Sequence, residues 1–209
     1  RVSALTSSSH CHSPRSSLEG YTRRIQQTPM AHIDVAKDLA REAGDIIKKN
    51  FTLNCNQEWK DNNTPVTATD LAINDLVLKA LKDAYPEHSV LSEEGDDFSE
   101  KSEFVWICDP VDGTHNFSHG IPTATFALAL TQSGKPILSV VYDPFLDRMF
   151  SAEKGKGAFM NGKKIHVTES ATLQRTVVGM GKLKEVRNLH PLLEAIKAHG
   201  GTSIVGLSI

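Results

Sequence analysis

"FVWICDPVDGTHNF", residues 104–117, runs five strand-forming residues, Phe104 to Cys108, straight into two aspartates with two residues between them. A short continuous apolar run bounded by turn residues reads as a buried strand. The strand is expected to end at Cys108 and to deliver Asp109 and Asp112 to its end. Pro110 fixes the local backbone, and Gly113 lets the chain turn and lets a ligand come close to the main chain. Thr114 can then open a helical turn with free N–H groups and a hydroxyl.

Working outward, residues 70–84 carry Ile73, Leu76, Val77, Ala80, Leu81 and Ala84 at helical spacing, and Tyr85-Pro86 ends that helix. Ser89-Val90-Leu91 is a second strand, separated from Phe104 by the acidic stretch "SEEGDDFSEKSE". Upstream, Ile33, Ala36, Ala40, Ala43 and Ile47 mark a first helix to about Asn50, followed by a hairpin-like "NCNQEWKDNNTPVTATD". Downstream, strands are expected over 124–130, 137–142, 148–152, 158–160 and 177–180. Lys163-Lys164 beside Asn161-Gly162 reads as a solvated turn. "NLHPLLEAIKAHGG" is a helix with Pro191 in its first turn and Gly200 as its stop. The fold class is α/β, in layers.

Net charge is −2 with pI near 6.5, so a nucleic-acid or polybasic membrane surface is excluded as a guiding expectation. No apolar run is long enough to span a bilayer, and the chain is expected to be soluble, with no membrane partner. Cys11, Cys55 and Cys108 form no CxxC pair and suit a reducing compartment. Residues 1–29 are rich in Ser and Arg, with Glu19 the only acid. They are expected to be a disordered leader, either a transit segment or sequence ahead of a start at Met30. His10-Cys11-His12 within it is not expected to hold a metal. The structured domain is placed at 30–209.

Asp70 stands where "PVTATD" enters a helix, and Glu93 and Glu94 follow the strand at Leu91. If the two strands are neighbours, Glu93, Asp109 and Asp112 converge at one sheet edge. Like charges ~4 Å apart repel by about 4 kcal/mol at an effective dielectric near 20, so such a cluster calls for protons or cations. Donors that are all oxygen favour Mg²⁺, Mn²⁺ or Ca²⁺ over zinc. Taken singly, each acid is more readily a turn or a solvated loop. The combination, in this order and spacing, is more specific.

"PVTATD", "SEEG" and "DPVDGTHNF", with "VVYDPFLDRMFSAEKGKGAFMNGKKIHV" behind them, together resemble the inositol monophosphatase superfamily, from about Ala31 to Ile209. The resemblance implies a layered α-β-α-β-α sandwich and an Mg²⁺-dependent, lithium-sensitive phosphomonoesterase. It implies that Glu93, Asp109 and the Val111 carbonyl bind one metal, and that Asp109 and Asp112 bind a second. Asp70 and Thr114 would orient and deprotonate the attacking water. Asp112 and the Gly113 and Thr114 amides would contact the substrate, and Lys60 would support the site. The expected substrate is inositol monophosphate, with a fructose 1,6-bisphosphatase or histidinol-phosphate phosphatase as alternatives. A homodimer and a cytoplasmic location are implied for the full-length protein, with organelle import if 1–29 is a transit segment.

The sequence departs from the family in places. Ser92 stands where Gly is usual, and Asn74 where Glu is frequent. The family's later Trp-Asp motif is absent before Ile209. A chain truncated at its C-terminus is therefore expected, with a non-catalytic metal-binding relative as the second reading. His115 and His119 have a spacing that can bind zinc on a helix. They are expected instead to flank the phosphate entrance or face solvent.

Overall fold

The structure is a computed structural model and describes residues 31–52, 58–59, 65–95, 102–169, 172, 174–180, 189–200 and 202–205. The expected leader at 1–29, Lys60, and the acids Asp96 and Asp97 lie outside the described residues. In chain order the elements are α1 (His32–Asn50), β1 (Glu58–Trp59), β2 (Pro65–Val66), α2 (Ala68–Ala84), β3 (Ser89–Ser92), β4 (Phe104–Asp112) and α3 (Thr114–Ser118). There follow β5 (Thr125–Gln132), β6 (Lys135–Asp143), β7 (Arg148–Glu153), β8 (Gly157–Met160) and β9 (Lys163–Ile165). The last are β10 (Val177–Met180), α4 (Leu189–Ala198) and β11 (Thr202–Val205). No helix among the described residues is long and apolar enough to cross a membrane.

Seven strands form one sheet in the order β3-β4-β5-β6-β7-β8-β9. β3 and β4 are parallel and all later neighbours antiparallel, so β3 and β4 point their C-terminal ends the same way. Helix α1 lies across β5, β6 and β7, while α2 lies against β3 and β4, with the two helices in contact. Side chains alternate accordingly along β4: Trp106 and Cys108 are buried under the helices, whereas Ile107 between them is 42% exposed on the opposite face. Separately, β10 and β11 pair in parallel, joined through α4 as a βαβ unit.

Helix α1 is apolar on more than one narrow stripe: Val35, Leu39 and Gly44 are buried along with the expected Ile33, Ala36, Ala40, Ala43 and Ile47. Contact with both the sheet and α2 explains the wider face. Gly44 is where α1 comes closest to the sheet. A Cβ there would overlap the Tyr142 ring and stand 3.1 Å from Pro144 Cβ. Alanine is the better helix former by ~1 kcal/mol. Even so, Gly44→Ala is expected to destabilise by about 1–3 kcal/mol through overpacking, read as a lower urea midpoint at unchanged slope. A raised midpoint would mean that Tyr142 swings aside without cost.

The end of β3 and β4 away from the aspartates is closed by aromatic rings. Trp106 Nε1 donates to His88 Nδ1 at 3.1 Å, and His88 stacks on Tyr85 and Phe104 with centroids 4.9 and 4.8 Å away. Because indole N–H only donates, this His88 nitrogen must carry a lone pair.

Two expectations are corrected. First, β4 does not stop at Cys108 but carries through Asp112, paired with β5 as far as Asp112↔Thr125. The register shifts between Asp109 and Asp112, where Pro110 has no N–H to give to the ladder. The turn falls at Gly113, in the left-handed region at φ 94°. Second, Lys163 and Lys164 are not in a turn. They form the edge strand β9 against β8, and the turn is Asn161-Gly162, both at positive φ. Exposed lysines on an edge strand discourage further strand pairing.

Candidate metal and phosphate site

Thr67 caps α2 with its side chain, and Asp70, three residues on, returns the bond to the Thr67 N–H at 2.8 Å. This reciprocal capping box fixes the Asp70 carboxylate at the helix start. The Thr67 hydroxyl donates to the same oxygen, Oδ2. The other oxygen, Oδ1, is 3.1 Å from Thr114 Oγ1, across 44 residues of sequence. Thr114 Oγ1 also lies 2.8 Å from the Val111 carbonyl, so one hydroxyl proton faces two acceptors. Asp70 is only 1% exposed, and burial raises its pKa against the lowering effect of the threonine bonds.

Parallel pairing of β3 with β4 sets Ser92 beside Cys108, and the Glu93 N–H reaches the Cys108 carbonyl at 3.3 Å. Glu93 therefore stands next to Asp109 at the strand ends. Burial first, then the charges of Glu93, Asp112 and Asp70, push the Asp109 carboxyl up to about 7. Asp109 Oδ1 is buried with no hydrogen-bond partner among the described residues. Asp112 is also raised, by burial first; the Thr125 hydroxyl, 3.5 Å from its Oδ2, offsets part of this, and Glu93 raises it further.

Glu93, Asp109, Asp112, Asp70 and the Val111 carbonyl are thus drawn to one end of the sheet, with Gly113 and Thr114 at the turn beside them. Among the described residues, no three acidic, His or Cys side chains close together as a finished ion cage. The donor set nonetheless fits a hard divalent cation. It is all oxygen, its acids raise the pKa of Asp109, and it includes a buried carboxylate oxygen with no partner among the described residues. Lys60 lies outside the described residues. His115 and His119 are exposed with ring centroids 4.5 Å apart, and His119 Nδ1 is 2.7 Å from the His115 carbonyl.

Sequence reasoning did not single out Thr67 and read Asn74 only as a departure from the family pattern. Thr67 was legible as the first residue of a T-x-x-D capping pattern. Asn74, one helical turn beyond Asp70, is 5% exposed with its Oδ1 unpaired among the described residues. An open cavity of about 460 Å³ beside Pro136, Leu138 and Gly155 lies toward the other end of β6, and none of the clustered acids lines it.

A model of the inositol monophosphatase family matches residues 29–202. The chain belongs to the inositol monophosphatase family. It is 40% identical over 151 residues to "Inositol monophosphatase 1" of Solanum lycopersicum, covering 70% of this chain and 55% of that relative. It is 34% identical over 153 residues to "Fructose-1,6-bisphosphatase/inositol-1-monophosphatase" of Thermotoga maritima, covering 73% and 59%. The solved structure of a Thermotoga maritima IMPase superposes with a TM-score of 0.76 at 30% identity, covering 84% of this chain and 68% of that one. The layered α/β fold is therefore that of the inositol monophosphatases. The chain spans somewhat over half the length of the curated relatives it matches.

Proposed function

We propose that the protein is an Mg²⁺-dependent phosphomonoesterase acting on a small phosphorylated polyol, with inositol monophosphate the leading substrate. The observation that carries this reading is Asp109, a carboxyl pushed up to about 7 by burial and then by three neighbouring acids, and holding a buried oxygen without a partner among the described residues. Such an arrangement is costly as a structural feature and useful as a cation site. Relatives with this fold named as inositol monophosphatases support the choice of chemistry.

Glu93, Asp109 and the Val111 carbonyl would hold one cation, and Asp109 with Asp112 a second. Cations bound there lower the pKa of water and offset the charge of a phosphoryl group. Asp70 and Thr114 orient the attacking water and accept its proton at Asp70 Oδ1, through the hydroxyl they share. Thr67 holds Asp70 Oδ2 from behind, which keeps Oδ1 aimed at Thr114. The Gly113 and Thr114 amides meet the phosphate, and Gly113, having no Cβ, lets it approach. No side-chain nucleophile is required, since phosphoryl transfer depends mainly on positioning and charge stabilisation. A homodimer is the assembly proposed with this function.

The test is phosphate release from inositol 1-phosphate with Mg²⁺, beside fructose 1,6-bisphosphate, histidinol phosphate and 3'-phosphoadenosine 5'-phosphate. Release that is fastest on inositol 1-phosphate and lost in EDTA is expected. Faster turnover of another substrate would reassign the alcohol. Cation binding without release from any of them would leave the non-catalytic reading in place.

A further inference from the structure

Asn74 occupies the middle of α2, four residues after Asp70, so both side chains leave the same face of the helix. A buried amide carbonyl normally finds a donor, yet Asn74 Oδ1 has none among the described residues. The other end of the amide is located by Gly95: a Cβ on that glycine would stand 3.5 Å from Asn74 Nδ2. The amide thus lies against the turn that follows β3 and carries Glu93. That turn is tied in turn to β4 by the Glu93 N–H bond to the Cys108 carbonyl, one residue before Asp109. Asp109 Oδ1 is a second buried oxygen with no partner among the described residues. Two oxygens without donors therefore belong to elements that meet at one small turn.

Once Asp109 is ionised, neither oxygen can be satisfied by the other, since both then only accept. What suits both is a cation carrying bound water: the carboxylate takes the ion and the amide oxygen takes a water proton. We propose that Asn74 is a positioning residue of the cation site, its Oδ1 accepting from the water shell of a hydrated divalent cation. This inference rests on the metal reading given above. A neutral amide also suits the electrostatics. Asp70, Glu93, Asp109 and Asp112 already repel one another, and a carboxylate at position 74 would add to that repulsion whenever the cation is absent.

The test uses the whole 209-residue chain, unsubstituted and as Asn74→Leu and Asn74→Asp, with two readouts. Mn²⁺ affinity is measured by titration calorimetry, and melting temperature is measured in EDTA. Leucine removes the unpaired oxygen at similar volume. It is expected to weaken Mn²⁺ binding about tenfold, as outer-shell changes do, while leaving the EDTA melting temperature equal or higher. Aspartate is expected to move both readouts the other way, with tighter Mn²⁺ binding and a lower melting temperature in EDTA. Opposite movement of the two readouts separates a cation-facing oxygen from a merely structural amide. If Asn74→Leu lowers the EDTA melting temperature, or either variant keeps the parent's Mn²⁺ affinity, the inference is overturned while the metal reading stands. If the unsubstituted chain binds no Mn²⁺, the metal reading fails and the inference fails with it.

Discussion

Asp109→Asn is expected to raise the melting temperature of the cation-free protein at pH 7.5 and to abolish the stabilisation that Mg²⁺ or Mn²⁺ brings. The carboxyl of Asp109 sits at about 7 in the folded chain against an ordinary value of 3.8. Between those values the native state keeps a proton that the unfolded chain has released. Stability is therefore greatest at low pH and is lost as pH rises through 4 to 7. A displacement of roughly three pH units corresponds to ~4 kcal/mol at most, and solvent screening at this half-open site brings the expectation to about 2–4 kcal/mol. Asparagine has no such titration. In EDTA, the difference in stability between variant and parent should be small at pH 4.5 and large at pH 7.5. The variant should also lose the response to cation, because the oxygen left without a partner among the described residues is one of those the ion would occupy. An Asp109→Asn protein that melts lower than the parent at both pH values in EDTA would mean that the carboxylate is held by protein contacts instead.

The second large effect concerns Thr114. Thr114→Val keeps the side-chain volume and removes the hydroxyl that lies 3.1 Å from Asp70 Oδ1 and 2.8 Å from the Val111 carbonyl. On the proposed mechanism it should cut phosphate release by about 10²–10⁴-fold, the usual contribution of a positioned proton-transfer group. Mn²⁺ affinity should stay within about threefold, because the ligand carboxylates are untouched. Thr114 is a cleaner target than Asp70, whose removal would also open the capping box at Thr67 and weaken α2. Phosphate release within threefold of the parent would remove Thr114 and Asp70 from the chemistry.

Local signals carried much of the fold. The periodicity of α1 and α2, the apolar run into Cys108, and the Pro191 and Gly200 bounds of α4 depend on neighbours a few residues apart, and each was legible. The extent of β4 was not. It continues through Pro110 because β5 offers Thr125 as a partner for Asp112, information held 13 residues downstream. Likewise β9 exists because β8 pairs with it, while its two lysines taken alone suggest a solvated turn. The acids were legible as a group through their order along the chain. The Asn74 oxygen was not, because being unpaired is a property of packing and leaves no pattern in the sequence.

The central claim is that the carboxylates at the ends of β3 and β4 hold cations that in turn hold phosphate. Calorimetric titration of inorganic phosphate into the chain, with Mg²⁺ and then with EDTA, tests it most directly. Phosphate that binds with Mg²⁺ and not with EDTA, with the effect lost in Asp109→Asn, is the expected result. Equal binding of phosphate in EDTA, or Mg²⁺-dependent binding that survives Asp109→Asn, would contradict it.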